Sequence, residues 1–375
     1  MMRALKPMVV KEFRQIRRDP TSLGMLLFLP AVIIVLVGYA LNFDVKHIPL
    51  AVFDQSATAQ SRDFVQTFSQ SEFFDYRFAV SSYEEIEAHF QHNRVRVAMI
   101  IPTSFADDLL AGRSAHAQFI VDGSDNTTAG QAVGFAIGIT SAYSSKIVSQ
   151  AMMRRGVRQY LPIDFRPRIW YNPDLLSSRF LAPGLIGFII MLTAVVSTSL
   201  TVVREKERGT MEQIMVSPLR PVEVILGKII PYVFISLIAA TVVIILSYLL
   251  FGVRVEGSIA LLYCALFILV LGSLGQGLLI STVTDSQQVA FMISIFSSLL
   301  PSFLLSGFVF PISNMPVVLQ VLSNIALNKF FLVIVRGIML KGIGIVQLWD
   351  QFMYMILFTA ITMGISSKRM QKRTL

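Results

Sequence analysis

A helical, polytopic membrane protein with six spans, and with an α/β domain inserted between the first two, is the fold class this sequence predicts. Three observations lead there. Of 375 residues, 54% are hydrophobic and only 15% charged, with a mean hydropathy of +0.66, which puts a wholly soluble fold out of reach. Six apolar runs, residues 23–41, 185–203, 229–251, 259–283, 289–310 and 352–366, approach the roughly 20 helical residues that cross a hydrocarbon core about 30 Å thick. Between the first two runs lies one long stretch, residues 42–182, of mixed composition and domain size. Lipid offers backbone amides no partner, so each run is read as a helix, and the alternation expected of a membrane barrel is absent.

Basic residues near the span ends set the orientation. Arg3, Lys6, Lys11, Arg14, Arg17 and Arg18 precede the first run against only Glu12 and Asp19, and Lys368, Arg369, Lys372 and Arg373 follow the last. Both termini are therefore expected in the cytoplasm. The net charge of +9 belongs to membrane edges and argues for no nucleic-acid partner. The first run starts after residue 22 without a small-x-small cleavage site, so it reads as a retained anchor. Cys264 is the only cysteine, which rules out an intrachain disulfide.

Taken in order, residues 1–22 are expected to form an interfacial helix. Met8, Val9, Phe13 and Ile16 approximate its apolar face, and Lys11, Arg14, Arg17 and Arg18 its charged one. Residues 23–41 are the first span. The extracytoplasmic domain, 42–182, alternates strand-like pieces (48–53, 73–80, 95–101, 117–121) with helix-like ones (56–69, 83–93, 103–111), an order that favours a small α/β sheet. Ser82 and Thr103 read as caps, Ser82 with Glu85 as a capping box. A turn at 122–126 leads into a helix over 127–160, and Pro162, Pro167 and Pro173 mark an extended connector. The transmembrane domain, 183–375, holds five more helices, a charged cytoplasmic segment at 204–228 and an apolar outer segment at 311–348 that reads as a re-entrant or interfacial helix pair.

Enzymatic constellations fail one by one. No G-x-x-x-x-G-K-[ST] occurs, so the chain carries no P-loop of its own. Ser124-Asp125-Asn126 lacks the lysines that a serine acylase needs and is better explained as a turn. His89 and His92 share a helix face without a third ligand, so solvated surface is the expectation and no metal is implied. The spans hold almost no ionisable side chains, unlike proton relays. Their small residues, Gly272 to Gly277, favour close helix packing. Pro30, Pro231 and Pro301 are placed to kink their helices.

The segment 204–228 resembles a known signature. Arg204-Glu205-Lys206-Glu207-Arg208-Gly209-Thr210-Met211-Glu212-Gln213, then Ser217-Pro218-Leu219 and Gly227-Lys228, is similar to the R-E-[KR]-E-x-G-T-x-E-x-[IL] … [ST]-P … G-K pattern of ABC type-2 exporter permeases. Lys11-Glu12 through Arg18-Asp19-Pro20 and Arg336-Gly337-Ile338-Met339-Leu340-Lys341-Gly342 match two further elements of that family. The chain departs from it at residues 326–331, where many relatives carry a proline-containing turn.

The resemblance implies a membrane-spanning permease subunit of an exporter for hydrophobic or amphipathic compounds, in the bacterial inner membrane. The chain itself is then not an enzyme and holds no cofactor; ATP and Mg belong to a separate ABC ATPase subunit. A second permease copy or paralogue, membrane lipid and a periplasmic adaptor are the other partners it allows. It also implies ATPase-coupling residues. Gly209 would end one helix, Thr210 would cap the next, and Met211–Val216 would be a coupling helix ended by Ser217-Pro218. Glu205, Glu207 and Glu212 would meet basic residues of the ATPase, while Met211, Ile214 and Met215 supply apolar contact, and Lys228 completes the signature. No substrate-binding residue is singled out. The alternatives are a membrane-anchored scaffold or secretion factor acting through its extracytoplasmic domain, and a membrane enzyme.

Overall fold

The structure, a computed structural model, describes residues 2–40, 45–154, 170–173, 176–210 and 221–372. The chain divides into two compact units, Phe43–Pro167 and the remainder, Met1–Asn42 with Arg168–Leu375. The larger unit opens with α1 (Met2–Arg18) and α2 (Pro20–Ala40).

The smaller unit is a four-stranded sheet covered on both faces. Along the chain come β1 (Ile48–Asp54), α3 (Ala59–Ser69), β2 (Phe74–Ala79), α4 (Tyr83–Gln91), β3 (Val97–Ile101), α5 (Phe105–Leu110), β4 (Gln118–Val121) and α6 (Asn126–Arg154). The strand order is β2-β1-β3-β4; β1 pairs parallel with β2 and β3, and β4 closes antiparallel on β3. The two central strands are apolar at nearly every position because both of their faces are covered. Leu50, Val52, Val97 and Met99 pack on one side with Phe64 and Phe68 of α3, Phe105 of α5 and Tyr143 of α6. Ala51, Ala98 and Ile100 face the other way, with Ile86 of α4. The expected strands and helices appear at nearly their predicted positions. Of the predicted helix 127–160, the part beyond Arg154 lies outside the described residues.

Local capping differs in two places. The helix predicted to start at Thr103 has Ser104 at its N-cap, without a side-chain bond. Ser82 does accept from the Glu85 amide at 3.3 Å, but the Glu85 carboxylate reaches back to the Ser81 amide at 2.7 Å, so the box does not close on Ser82. The reciprocal box forms at Thr58 and Ser61, whose hydroxyl also reaches Asp54 at the end of β1 at 2.6 Å.

The larger unit continues with α7 (Ser177–Glu207), α8 (Pro221–Phe251), α9 (Ile259–Val283), α10 (Gln287–Leu300), α11 (Val317–Leu322), α12 (Leu327–Lys341) and α13 (Ile345–Lys372). Among the described residues five helical stretches are long and apolar enough to cross a membrane, and the bent pair around α11 and α12 would make a sixth. That pair turns by 86° within the segment expected to hold two short helices. The first expected span is α2, whose described apolar part runs over Leu26–Ala40. Pro30 and Pro231 sit inside continuous helices. Pro301 instead opens a π-helical turn, Pro301–Leu305, because it cannot donate to the helical ladder. The span expected to reach residue 310 therefore stops near Leu305, and Gly307 turns away at φ 79°.

α7 is the centre of this unit. Of its apolar stretch 83% is buried, against 22% for α13 and for the span formed by α10 with its π turn. Small residues make the approach possible, as the Gly272–Gly277 cluster anticipates. A Cβ on Gly277 would lie 2.7 Å from the Val195 carbonyl of α7, and one on Gly275 would lie 2.9 Å from Thr362 of α13. α9 therefore touches both neighbours through positions that have no side chain.

Gly277→Leu should destabilise the membrane unit by about 1–3 kcal/mol or more, since the obstacle is backbone. It will be read as a lower unfolding midpoint and folded yield in detergent. Gly364→Ala, where a Cβ would meet nothing within 4 Å, should leave both unchanged.

Candidate functional site

Arg204, Glu205, Lys206 and Glu207 form the last turn of α7. Successive helical residues point about 100° apart, and these four reach several neighbouring segments, with Gln287 shared by Arg204 and Glu207. Arg204 pairs with Asp19, at the junction of α1 and α2, at 2.5 Å, and donates from Nε to Gln287 of α10 at 3.2 Å. Lys206 donates to the carbonyls of Ser281 and Thr284, the latter at 3.0 Å, and so closes the C-terminal end of α9, where a cation is favoured. Glu207 accepts the backbone N–H of Gln287 at 2.7 Å and also its side-chain amide, capping α10 from a neighbouring helix where the dipole favours an anion.

Glu205 points inward. Its carboxylate binds Lys228 of α8 and, at 2.8 Å, Lys11 of α1. Lys228 also reaches Glu12 of α1 at 3.2 Å, and Lys11 lies 3.2 Å from the same carboxylate. The side chains of Glu12, Glu205 and Lys228 are 0%, 5% and 2% exposed. Two cations and two anions cancel, which is the condition for burying charge at all. Glu12 Oε2 is buried with no partner among the described residues. Burial alone would lower the pKa of Lys11; its hydrogen bond to Glu205 and the charges of Glu12 and Glu205 outweigh that and hold it above the usual lysine range.

This changes the reading of α1. Its buried face is Met8, Glu12 and Ile16, spaced i, i+4, i+8, while Phe13 and Val10 are exposed. The apolar stripe expected over Met8, Val9, Phe13 and Ile16 is thus rotated, because Glu12 has a buried cation to meet. Met8 packs where Gly227 leaves room, the Cγ atom lying 2.3 Å from where a Cβ would stand.

The residues singled out from sequence separate into two groups. Glu205 and Lys228 take part in the internal cluster, where two lysines enclose the Glu205 carboxylate. Glu207 is exposed but likewise engaged. Gly209 does end α7, at φ 69°, with its N–H on the Lys206 carbonyl at 3.0 Å; the positive φ is what a glycine supplies there. Thr210 donates its hydroxyl back to the Glu205 carbonyl at 3.2 Å. Met211, Glu212, Ile214, Met215 and Pro218 lie outside the described residues. Lys11, Glu12, Asp19 and Gln287 were missed as partners. The opposite charges at 11–12 and 18–19 were visible, but no local spacing brings residue 12 beside residue 228.

The discounted constellations have local partners, and His89 is half-buried instead of lying on the solvated surface expected. Asp122 accepts from the Ser124 amide, and Asp125 from the Thr127 and Thr128 amides, which makes the Ser124-Asp125-Asn126 stretch a turn and helix start. The His89 ring lies against Phe78 at 4.3 Å, and the His92 ring bonds the Ala88 carbonyl at 2.8 Å. Among the described residues no group of three or more His, Cys, Asp or Glu could hold a metal.

A bundle of long apolar helices, laced together by charges at the end of α7, is the architecture of a membrane permease. The chain belongs to the ABC-2 family of transporter proteins, whose sequence profile matches residues 20–368. It is 30% identical over 372 residues to the probable multidrug ABC transporter permease YbhS of Escherichia coli K12, covering 99% of this chain and 97% of that one. It is 29% identical over 362 residues to the probable multidrug ABC transporter permease YbhR of the same organism, at 96% of each. ABC transporter G family member 20 of Dictyostelium discoideum is 23% identical over 357 residues, 92% of this chain and 48% of that protein.

Burial sets the cost of breaking each contact. Lys228→Met leaves two buried carboxylates to share the single lysine Lys11 and should destabilise the larger unit by about 3–5 kcal/mol, with the double variant Lys228→Met/Glu205→Met recovering part of the loss. Glu207→Ala, at an exposed helix end, should lower the midpoint far less than Lys228→Met. Unfolding midpoints of the purified chain will give the ranking.

Proposed function

We propose that this chain is the membrane-embedded half of an ATP-driven exporter in a bacterial inner membrane. Both termini are cytoplasmic, the α/β unit is extracytoplasmic, and residues 211–216 form the coupling helix that seats in a separate ATPase subunit, which binds ATP and Mg. The chain itself performs no catalysis. Two copies, or this chain with a paralogue, enclose the path of a hydrophobic or amphipathic compound, the class suggested by the multidrug permeases it resembles.

One observation carries the reading. The helix that enters this loop ends in four side chains tied separately to the α1–α2 junction, α8, α9 and α10. Force applied to the loop by a partner acts directly on α7, and α7 cannot move at that end without its four neighbours. A loop that only connected two spans would need no such fastening. With Glu205 and Glu207 occupied internally, recognition of the ATPase falls to residues 211–218, with Glu212 the acid and Met211, Ile214 and Met215 the apolar contacts. Glu212, in the first turn of that short helix, also favours its dipole.

Glu212→Arg places a like charge against the basic groove expected of the ATPase, a juxtaposition that costs several kcal/mol. Co-purification of the ATPase with the tagged chain should fall on the order of tenfold or more, and transport with it. If no ATPase is recovered with the unaltered chain and Glu212→Arg leaves transport unchanged, the exporter reading fails.

A further inference from the structure

Beside the buried cluster, with Lys11 common to both, a cavity of about 860 Å³ opens between α1, the α1–α2 junction and the ends of α7 and α10. Five cations line it, Lys11, Arg14, Arg18, Arg204 and Arg208, with Asp19 the only lining carboxylate among the described residues. Asp19 is taken by Arg204, and Lys11 by Glu205 and Glu12. The exposed carboxylate of Glu207 stands beside the rim and is held by Gln287. Among the described residues Arg14, Arg18 and Arg208 have no ion-pair or hydrogen-bond partner. Three guanidinium groups without an ion pair line one concave space, Arg208 feeling the charge of Glu207 at the rim, and they suit an anion with several acceptor oxygens.

A second cavity shares Arg14 with the first. It measures about 570 Å³ and is lined chiefly by apolar side chains, among them Phe13, Leu27, Phe234 and Ile238, with Arg14 and Arg17 at its edge. Phe13 and Phe234 meet edge to face at 6.1 Å and still leave Phe234 58% exposed. A polar cavity and an apolar groove joined at one arginine have the two-ended chemistry of an amphiphile. An acidic protein surface would use the cavity and leave the groove empty; a free phosphate would do the same.

We infer that this pair of cavities binds one anionic phospholipid, its phosphate among Arg14, Arg18 and Arg208 and an acyl chain along Phe13, Leu27, Phe234 and Ile238. The inference rests on the proposed topology, which sets the site at the cytoplasmic leaflet, where anionic headgroups are held by neighbouring Lys and Arg. The lipid would bridge α1 to the ends of α7 and α10, beside the buried cluster and outside it.

The test is native mass spectrometry of the full chain, delipidated in neutral detergent and titrated with phosphatidylglycerol or phosphatidylethanolamine. Phosphatidylglycerol should bind preferentially and phosphatidylethanolamine weakly. Arg14→Gln/Arg18→Gln/Arg208→Gln should lower phosphatidylglycerol affinity about a hundredfold, each arginine contributing roughly fivefold. The matching triple lysine variant, which keeps the charge, should retain most of it and guards against misfolding of the first. Ile238→Trp fills the groove without altering any charge and should also weaken binding. Equal binding of both lipids, unchanged affinity in the triple glutamine variant, or displacement of the lipid by an equal concentration of inorganic phosphate would overturn the proposal. So would a triple glutamine variant that keeps its lipid and loses a co-purifying ATPase, which marks a protein-docking face. Because lipid binding is read on the chain alone, its failure is distinct from failure of the exporter reading, which is judged by ATPase recovery.

Discussion

The ammonium group of Lys228, enclosed between the carboxylates of Glu12 and Glu205, is the constraint on which the cytoplasmic end of this protein depends. A lone buried cation there would be costly, and so would either acid without it. Each charge is tolerable only while helices α1, α7 and α8 stay together. Lys11 balances the second carboxylate, so the quartet is neutral as a whole. An apolar cluster of equal volume could be as stable, but it would permit α1 to rotate or slide. With Glu12 on its buried face, α1 has one seat.

Around this cluster the remaining charges of the α7 end act as fasteners of a different kind. Lys206 and Glu207 satisfy orphan groups at the end of α9 and the start of α10, groups that every helix terminus leaves open. The charges therefore do backbone work that lipid and apolar side chains cannot do. Further from this end the same helices meet through glycine, with Gly277 against the Val195 carbonyl. Polar fastening at one end and close small-residue packing along the shaft make α7 the axis of the unit. The candidate spans least enclosed by this chain, α13 and α10 with its π turn, present apolar faces outward, Phe296 being 61% exposed and Ile356 54%.

Most of the architecture is legible in the sequence because apolar length and period-two burial are local properties. The strands expected at 48–53 and 95–101 appear as Ile48–Asp54 and Val97–Ile101, and five of the six predicted spans coincide with helices long and apolar enough to cross. What is not legible depends on distant partners. The apolar stripe of α1 was placed around Phe13 because a buried glutamate is unexpected until Lys228 is known to lie beside it. The charges at 204–207 read as a solvated docking surface for the same reason: sequence gives their sign and spacing, and only packing shows which face inward. The end of the helix after Pro301 was missed because a π turn has no composition of its own. Gly209, by contrast, was readable, since a positive φ at a helix end is a requirement a single residue can announce.

If the charge cluster of Lys11, Glu12, Glu205 and Lys228 makes α1 and the ends of α7 and α8 one moving body, the distance between α1 and α8 must be indifferent to nucleotide. The direct measurement is electron–electron resonance between spin labels at Lys6 and Leu226, both exposed, in a Cys264→Ser background assembled with its ATPase. The distance distribution should stay the same, without nucleotide and with ATP trapped, while transport remains active. A distribution that shifts as a whole between the two states would show that α1 moves independently, and would contradict the claim that Lys228 locks it to α7 and α8.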